Sequence, residues 1–461
     1  MRYLFPAIAA AFLCASAGAQ TVVVDLRSDK GPVKVLNAVN NGPTAADFSM
    51  YKFAEFPYAR THDANLSGEF GAPNTVDISA VFPVWEADAC AESSYNFAET
   101  DKLLKSYVDA GTGVFYRLGE AIEHTVRKYD IYPPKDYKKW AVIAEHIIRH
   151  YNEGWADGFR WNIEYWEIWN EYESGNCWKG TIEQFYDFYE VAARHLKKQF
   201  PSLKIGGPAT EWRYKNGQDT ATPFIEEMAR RKVPVDFLSW HRYCLSPELV
   251  AAHAVQMRQT LDKNGYGSTL SILNEWNTRP FDIAGTLAGA CFAAATMANM
   301  QDKPVDMMMY YDARPGTVLN GLFDLYGKPL KAYWAFVSWS RLRRLGTSVA
   351  VSGDTAEIYA TAAKDDKGNA GILVARFNPA PGAPEGKYYQ KSVPVTISLP
   401  GVRAGNVSVQ MVDSFYDFGN VPATVSETSA GSTVTIDMEF LSFAWIGLPG
   451  TGSLSDGSGN L

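Results

Sequence analysis

The chain has 461 residues, with 43 Lys and Arg against 51 Asp and Glu, a formal net charge of −8. That acidic balance argues against nucleic acid or an anionic membrane surface as a partner. The length points to two domains rather than one.

The chain opens with Met1-Arg2, an apolar run from Tyr3 to Leu13 and small residues closing in Ala17-Gly18-Ala19. This is the pattern of a cleaved signal peptide over 1–19. The apolar run is too short to span a bilayer, where about 20 residues are needed. Leu13 stands where a lipid-anchored protein would carry a small residue before Cys14, so a soluble chain, secreted or periplasmic, is expected. No later segment reads as a membrane helix.

Cleavage would leave Cys90, Cys177, Cys244 and Cys291. Their spacings match no zinc signature, and neither a metal nor a cofactor is expected. Cys90 and Cys177 both fall in predicted loops and are the favoured disulfide pair in an oxidising compartment, other pairings staying open.

Val22 to Leu26 is a short strand ahead of the main pattern, and 20–34 is expected to join a C-terminal β-domain. From 35 to 340 apolar strands alternate with helical stretches. The strand candidates are Lys34–Asn40, Tyr58–Thr61, Gly113–Leu118, Ile163–Trp169, Leu203–Gly207, Val235–Trp240, Thr269–Leu273 and Val305–Tyr311. Between them Thr100–Asp109, Tyr137–Tyr151, Ile182–Gln199, Pro223–Arg231, Glu248–Asn264 and Thr286–Asn299 carry apolar residues at helical spacing. Eight strands with crossover helices over roughly 300 residues predict an α/β fold, a (β/α)8 TIM barrel. From 341 to 449 short strands separated by Gly, Pro, Asn and Asp predict an accessory antiparallel β-sandwich. The Gly- and Ser-rich tail 450–461 is expected to be unstructured.

In such a barrel the active site lies at the carboxyl ends of the strands. Two segments place acidic residues there: Trp166-Glu167-Ile168-Trp169-Asn170-Glu171 on the fourth strand and Leu273-Asn274-Glu275-Trp276 on the seventh. Strands four and seven face each other across the mouth, so Glu171 and Glu275 can flank one bond. Two carboxylates so placed suit glycosidic cleavage, in which one protonates the leaving oxygen and the other captures or stabilises the cationic sugar carbon. The chain's 13 Trp and 25 Tyr are compatible with a sugar partner, because sugar rings stack on aromatic faces.

These segments, with Arg60-Thr61-His62-Asp63 after the second strand and Ser239-Trp240-His241-Arg242-Tyr243 after the sixth, resemble glycoside hydrolase family 39 of clan A. The resemblance covers nearly all of the chain after the leader. It implies a retaining glycosidase of β-xylosidase type acting on plant-type oligosaccharides, with Glu171 as acid/base and Glu275 as nucleophile. It further implies that Asn170 binds the sugar's 2-hydroxyl, that Arg60 and Tyr243 hold Glu275 ionised, and that His62 and His241 line the pocket. Tyr311, at the end of the eighth strand, belongs to the same expected pocket.

Two departures from the family pattern loosen the choice of sugar: Tyr172 replaces the proline usual after the acid/base, and the eighth strand ends Tyr310-Tyr311-Asp312 without the common tryptophan. The same mechanism on an arabinoside, galactoside or uronide, or an endo-acting polysaccharide hydrolase, is the alternative. A carbohydrate-binding protein without catalysis is disfavoured by the presence of both carboxylates.

Residue types alone predict less for the remaining candidates. Glu167, deeper in its strand, is expected to make a structural ion pair. Trp276 is a candidate sugar platform, and Glu120 at the end of the third strand a candidate hydroxyl contact. The negative charge on Glu275 should raise the pKa of Glu171, giving a bell-shaped activity profile in mildly acidic solution.

Overall fold

A computed structural model describes residues 20–42, 49–62, 75–120, 130–211, 219–315, 321–353, 357–378, 392–450 and 452–453. The expected leader 1–19 and Asp63 lie outside the described residues.

After β1 (Gln20–Pro32), eight parallel strands close into a barrel in chain order: β2 (Val35–Asn40), β3 (Tyr58–Arg60), β4 (Gly113–Leu118), β5 (Tyr165–Ile168), β6 (Lys204–Thr210), β7 (Phe237–Tyr243), β8 (Leu270–Asn277) and β9 (Met307–Tyr310). Each falls within or overlaps its predicted segment. The largest difference is at β8, which runs on to Asn277 because its ladder with β7 stays paired to the mouth. Polar strand ends read as loop in the sequence; here they are still strand.

The helices outside the barrel form where apolar residues recur at helical spacing. Ile182–Gln199 opens with a reciprocal cap between Thr181 and Gln184 and buries Phe185, Phe188, Tyr189, Ala192 and Leu196 along one stripe. Leu287–Met300 is apolar on nearly every side, which suits a helix covered both by the barrel and by the second domain. Tyr333–Leu345 corrects the expected boundary at 340–341, which falls inside this helix. Its apolar stripe continues to Leu342 between arginines, and the chain leaves the helix only at Gly346, whose φ of +92° suits glycine at a helix C-terminus.

The second domain holds β10 (Thr347–Gly353), β11 (Ile358–Lys364), β12 (Ala370–Arg376), β13 (Val393–Pro400), β14 (Val402–Arg403), β15 (Ser408–Val412), β16 (Asp417–Asn420), β17 (Thr424–Thr428), β18 (Gly431–Met438), β19 (Ser442–Leu448) and β20 (Gly452–Ser453). Ten strands are hydrogen-bonded in the order β16-β15-β19-β12-β11-β10-β1-β13-β18-β17. Ile372 and Val374 from one half meet Val395, Ile397 and Ile436 from the other in one core, so the sheet wraps over on itself as a sandwich. The expectation of a purely antiparallel sheet needs one correction: β1 runs parallel to β13 while pairing antiparallel with β10. Within the expected tail, β20 pairs with β14.

The sandwich leans on the last barrel helices through Phe292 against Phe377 and Trp334 stacked on Phe418. No helix among the described residues is long and apolar enough to cross a membrane.

Candidate active site

Strand alternation decides what the barrel interior contains. At its lower end Phe115, Tyr165, Phe237, Ile272, Met307 and Met309 pack into an apolar plug. Two residues beyond Ala38, Tyr58, Tyr165 and Ile272 of this lower layer, β2, β3, β5 and β8 send Asn40, Arg60, Glu167 and Asn274 inward, and all four are fully buried.

Arg60 organises this layer. Its Nε donates to Glu167 Oε2 at 2.6 Å, Nη1 to Glu275 Oε1 at 2.6 Å and to Asn40 Oδ1 at 3.0 Å, and Nη2 to Asn170 Oδ1 at 2.7 Å. Glu167 also accepts from Asn274 Nδ2 at 2.6 Å. Burial alone would push the guanidinium to lose its proton, but Glu167 and Glu275 overcome that and hold it charged. Asn40 and Asn274 were not among the sequence candidates, although both sit at strand ends.

Glu275 reaches the interior through an irregularity. Trp240 pairs with Leu273 and His241 with Glu275, so β8 carries one extra residue at this point. The bulge lets Asn274 and Glu275 both face inward. It also turns Trp276 outward, where it is fully buried against Tyr310, Phe292 and Phe336. Trp276 is therefore packing beneath the helices and not a sugar platform.

Glu171 arrives by a different route. The chain leaves β5 with Trp169 at φ +72° and Glu171 at φ +42°. Left-handed backbone of this kind in non-glycine residues costs about 1–3 kcal/mol and concentrates at functional sites. The backbone N–H of Glu171 donates to Ala209 O at 3.0 Å, and Trp169 packs outward against Trp178 and Phe188.

The two glutamates meet around His241, whose Nδ1 is 2.7 Å from Glu171 Oε1 and 3.4 Å from Glu275 Oε2. Tyr243 donates its hydroxyl to Glu275 Oε2 at 2.7 Å. His62 Nε2 stands 3.6 Å from Glu275 Oε1, and the Tyr311 ring lies between His62 and Tyr243, at 5.9 Å and 6.4 Å between centroids. Burial lowers the pKa of both histidines and Arg60 adds to the effect, while at His241 the charge of Glu275 opposes it. Burial raises the pKa of Glu275; His241 and Arg60 pull it back, and Glu171 pushes it up again.

A ligand oxygen from each glutamate and a ring nitrogen of His241 all lie within 4.8 Å of one another. Three such groups could hold a metal in principle, yet both Glu275 oxygens already accept from Arg60 and Tyr243. A cation there would face a guanidinium directly.

Of the expected site residues, Arg60, His62, Asn170, Glu171, His241, Tyr243, Glu275 and Tyr311 come together. Glu120 stands apart from this network in its contacts: its carboxyl accepts from the Ser79 backbone at 3.0 Å and hydroxyl at 2.7 Å, and burial, with Asp77 beside it, pushes its pKa well up. Tyr172, which stands where the family usually has proline, is buried, stacked 4.3 Å from Phe185 with its hydroxyl on Thr220 O. Cys177 was missed for the site. Its thiol is in no disulfide, fully buried, 3.8 Å from Asn170 Nδ2 and 4.0 Å from Glu171 Oε2. The expected disulfide is thereby corrected: Cys90 is an exposed free thiol, and Cys177 is enclosed beside the glutamate.

The segment 77–283, which carries both glutamates, matches the family model described as glycosyl hydrolases family 39. A β-xylosidase of Geobacillus stearothermophilus is 33% identical over 202 residues, 41% of this chain and 36% of that protein. A β-xylosidase of Caldicellulosiruptor saccharolyticus is 25% identical over 286 residues, 53% of this chain and 56% of that protein. The match thus spans about a third to just over half the length of these curated relatives. The fold matches that of a glucosidase from Croceicoccus marinus with a TM-score of 0.75 at 22% identity, covering 93% of this chain and 98% of the other. Over residues 77–283 the chain is thus similar to glycoside hydrolase family 39.

Proposed function

We propose that this chain is a retaining glycoside hydrolase of β-xylosidase type, with Glu171 as acid/base and Glu275 as nucleophile. The observation that carries the reading is the gap between the two carboxylates, with oxygens inside 4.8 Å. Double displacement uses carboxyls about 5–5.5 Å apart, whereas inversion needs about 6.5–9.5 Å to admit a water.

In the first step a Glu275 oxygen bonds to the anomeric carbon, the glycosidic C–O bond breaks, and the Glu171 proton goes to the departing oxygen. In the second, Glu171 takes a proton from water, the water oxygen bonds to the anomeric carbon, and the ester to Glu275 breaks. Arg60 and Tyr243 hold the nucleophile's two oxygens in place and favour its charged form. Asn170 has its oxygen committed to Arg60, which orients its Nδ2 as the group for a sugar hydroxyl. His241 touches both carboxylates and is placed to follow the proton between steps.

The substrate is an oligosaccharide of plant type. The β-xylosidase assignment rests on the two sequence relatives, and it is eased by Tyr172, whose departure from the usual proline is absorbed in packing away from the glutamates. Export through the leader 1–19 is part of the same proposal, and N-terminal sequencing of the secreted protein should begin at Gln20. A panel of nitrophenyl glycosides, followed by NMR of the first-formed sugar, tests the reading. Turnover of the β-xyloside with β-xylose as initial product is expected. Inversion, or no turnover of any glycoside in the panel, contradicts it.

A further inference from the structure

Two residues beyond Glu171, the carboxyl of Glu173 is buried in the turn after β5. Its Oε1 lies 2.5 Å from Thr210 Oγ1 at the end of β6 and 2.9 Å from Thr220 Oγ1 ahead of the helix Ala221–Arg231. The two threonine oxygens are 3.0 Å apart, and Thr220 Oγ1 also contacts the backbone oxygen of Glu211. Glu173 Oε2 is buried with no partner among the described residues.

Counting protons decides the state of this cluster. Four close oxygen–oxygen contacts link Thr210, Thr220, Glu173 and the Glu211 carbonyl, which accepts only. If Glu173 were ionised, two hydroxyl protons would have to serve all four, and its second oxygen would be a buried charge without a side-chain donor among the described residues. With a proton on Glu173 a directed chain forms: Thr210 donates to Glu173, Glu173 to Thr220, and Thr220 to Glu211 O. Among the described residues, the titratable groups facing it are Glu171 in its own turn, Tyr172, Tyr186 on the helix Ile182–Gln199, and Glu211 and Asp219 after β6. None is a cation.

We propose that Glu173 is a positioning residue that keeps its proton through the working pH range and, by donating it to Thr220, ties the turn bearing Glu171 to the end of β6. The inference rests on Glu171 as acid/base. The electrostatics agree with the proton count: burial pushes the Glu173 carboxyl up to about 8, against the pull of the Thr210 hydroxyl, its own backbone N–H and the Thr220 hydroxyl, and Glu171 adds to the rise. An acid whose folded pKa exceeds its unfolded one destabilises the fold as pH rises between the two. Stability should therefore decline from about the ordinary carboxylate range to about 8, and a permanently neutral side chain should remove that decline.

The test uses the full chain, Glu173→Gln and Glu173→Ala, on two aryl β-xylosides, one with a good leaving group and one with a poor one. Glu173→Gln, whose amide can donate to Thr220, should keep kcat/KM within about threefold at pH 5–6, and its melting-temperature advantage over the wild type should grow between pH 5 and 9. Glu173→Ala should lose about tenfold in kcat on the poor leaving group, which needs the acid, and much less on the good one. Equal losses on both substrates, a Gln variant as impaired as Ala, or a melting-temperature gap that does not change with pH would overturn the inference. Glu171→Ala on the same pair keeps the two readings apart: if it shows no dependence on the leaving group, the acid/base assignment itself falls.

Discussion

The two ends of the barrel are equally dry and held by opposite means. At the lower end Phe115, Tyr165, Phe237, Ile272, Met307 and Met309 fill the interior with hydrocarbon and aromatic surface. At the mouth β3, β5 and β8 bury Arg60, Glu167, Asn274 and Glu275, exposed by no more than 4%. An apolar plug loses roughly what is cut from it. A network of buried charges loses more, because each partner left behind is an uncompensated charge or an unpaired donor. The mouth thus spends stability on geometry, fixing both oxygens of Glu275 where a sugar carbon would arrive.

That contrast can be broken or sharpened by substitution. The largest effect should come from Glu171→Gln, which removes the proton donor: kcat/KM on a poor leaving group is expected to fall about 10²–10⁴-fold, with little change in melting temperature. Arg60→Ala should destabilise the fold by about 3–5 kcal/mol in denaturant titrations, since it strands Glu167 and Glu275 together, and should lower turnover by a smaller factor than Glu171→Gln does.

Tyr243→Phe probes the charge on the nucleophile. Because Glu275 must be ionised to attack and burial raises its pKa, activity in the wild type should disappear on acidification above the ordinary carboxylate range. Losing the Tyr243 hydroxyl removes a bond to the charged form, so this acid limb should move up by about 1–2 pH units. A limb that stays in place would mean that the hydroxyl positions the carboxylate without favouring its charge. The smallest effect belongs to the lower end: Ile272→Val should cost about 0.5–1.5 kcal/mol and leave kcat unchanged. An activity loss there would show that the two ends are not independent.

The same contrast explains what could be read in the sequence. Apolar alternation marked the barrel strands, and polar residues breaking it at strand ends marked the mouth, which is why Arg60, Asn170, Glu171, His241, Tyr243 and Glu275 were visible. The extra residue in β8 was not, because a bulge is a property of the pairing between two strands. Simple alternation therefore gave Trp276 the wrong face. Cys177 and Tyr172 were misread for a related reason: both lie in the irregular turn after β5, where the left-handed backbone at Trp169 and Glu171 sets which side chains go in and which go out. The helix end at Leu345 was hidden because arginines interrupt the apolar stripe after Trp339, and Arg341 is held there by the second domain, over the Phe418 and Trp445 rings.

The central claim is that Glu275 attacks the sugar while Glu171 supplies the proton. It is tested most directly by incubating the protein with a dinitrophenyl 2-deoxy-2-fluoro-β-xyloside, digesting it and locating the sugar by mass spectrometry. The account predicts one covalent fluoroxylosyl group on the peptide containing Glu275, at that residue. A label on Glu171, or rapid turnover to an inverted sugar with no label, would contradict it.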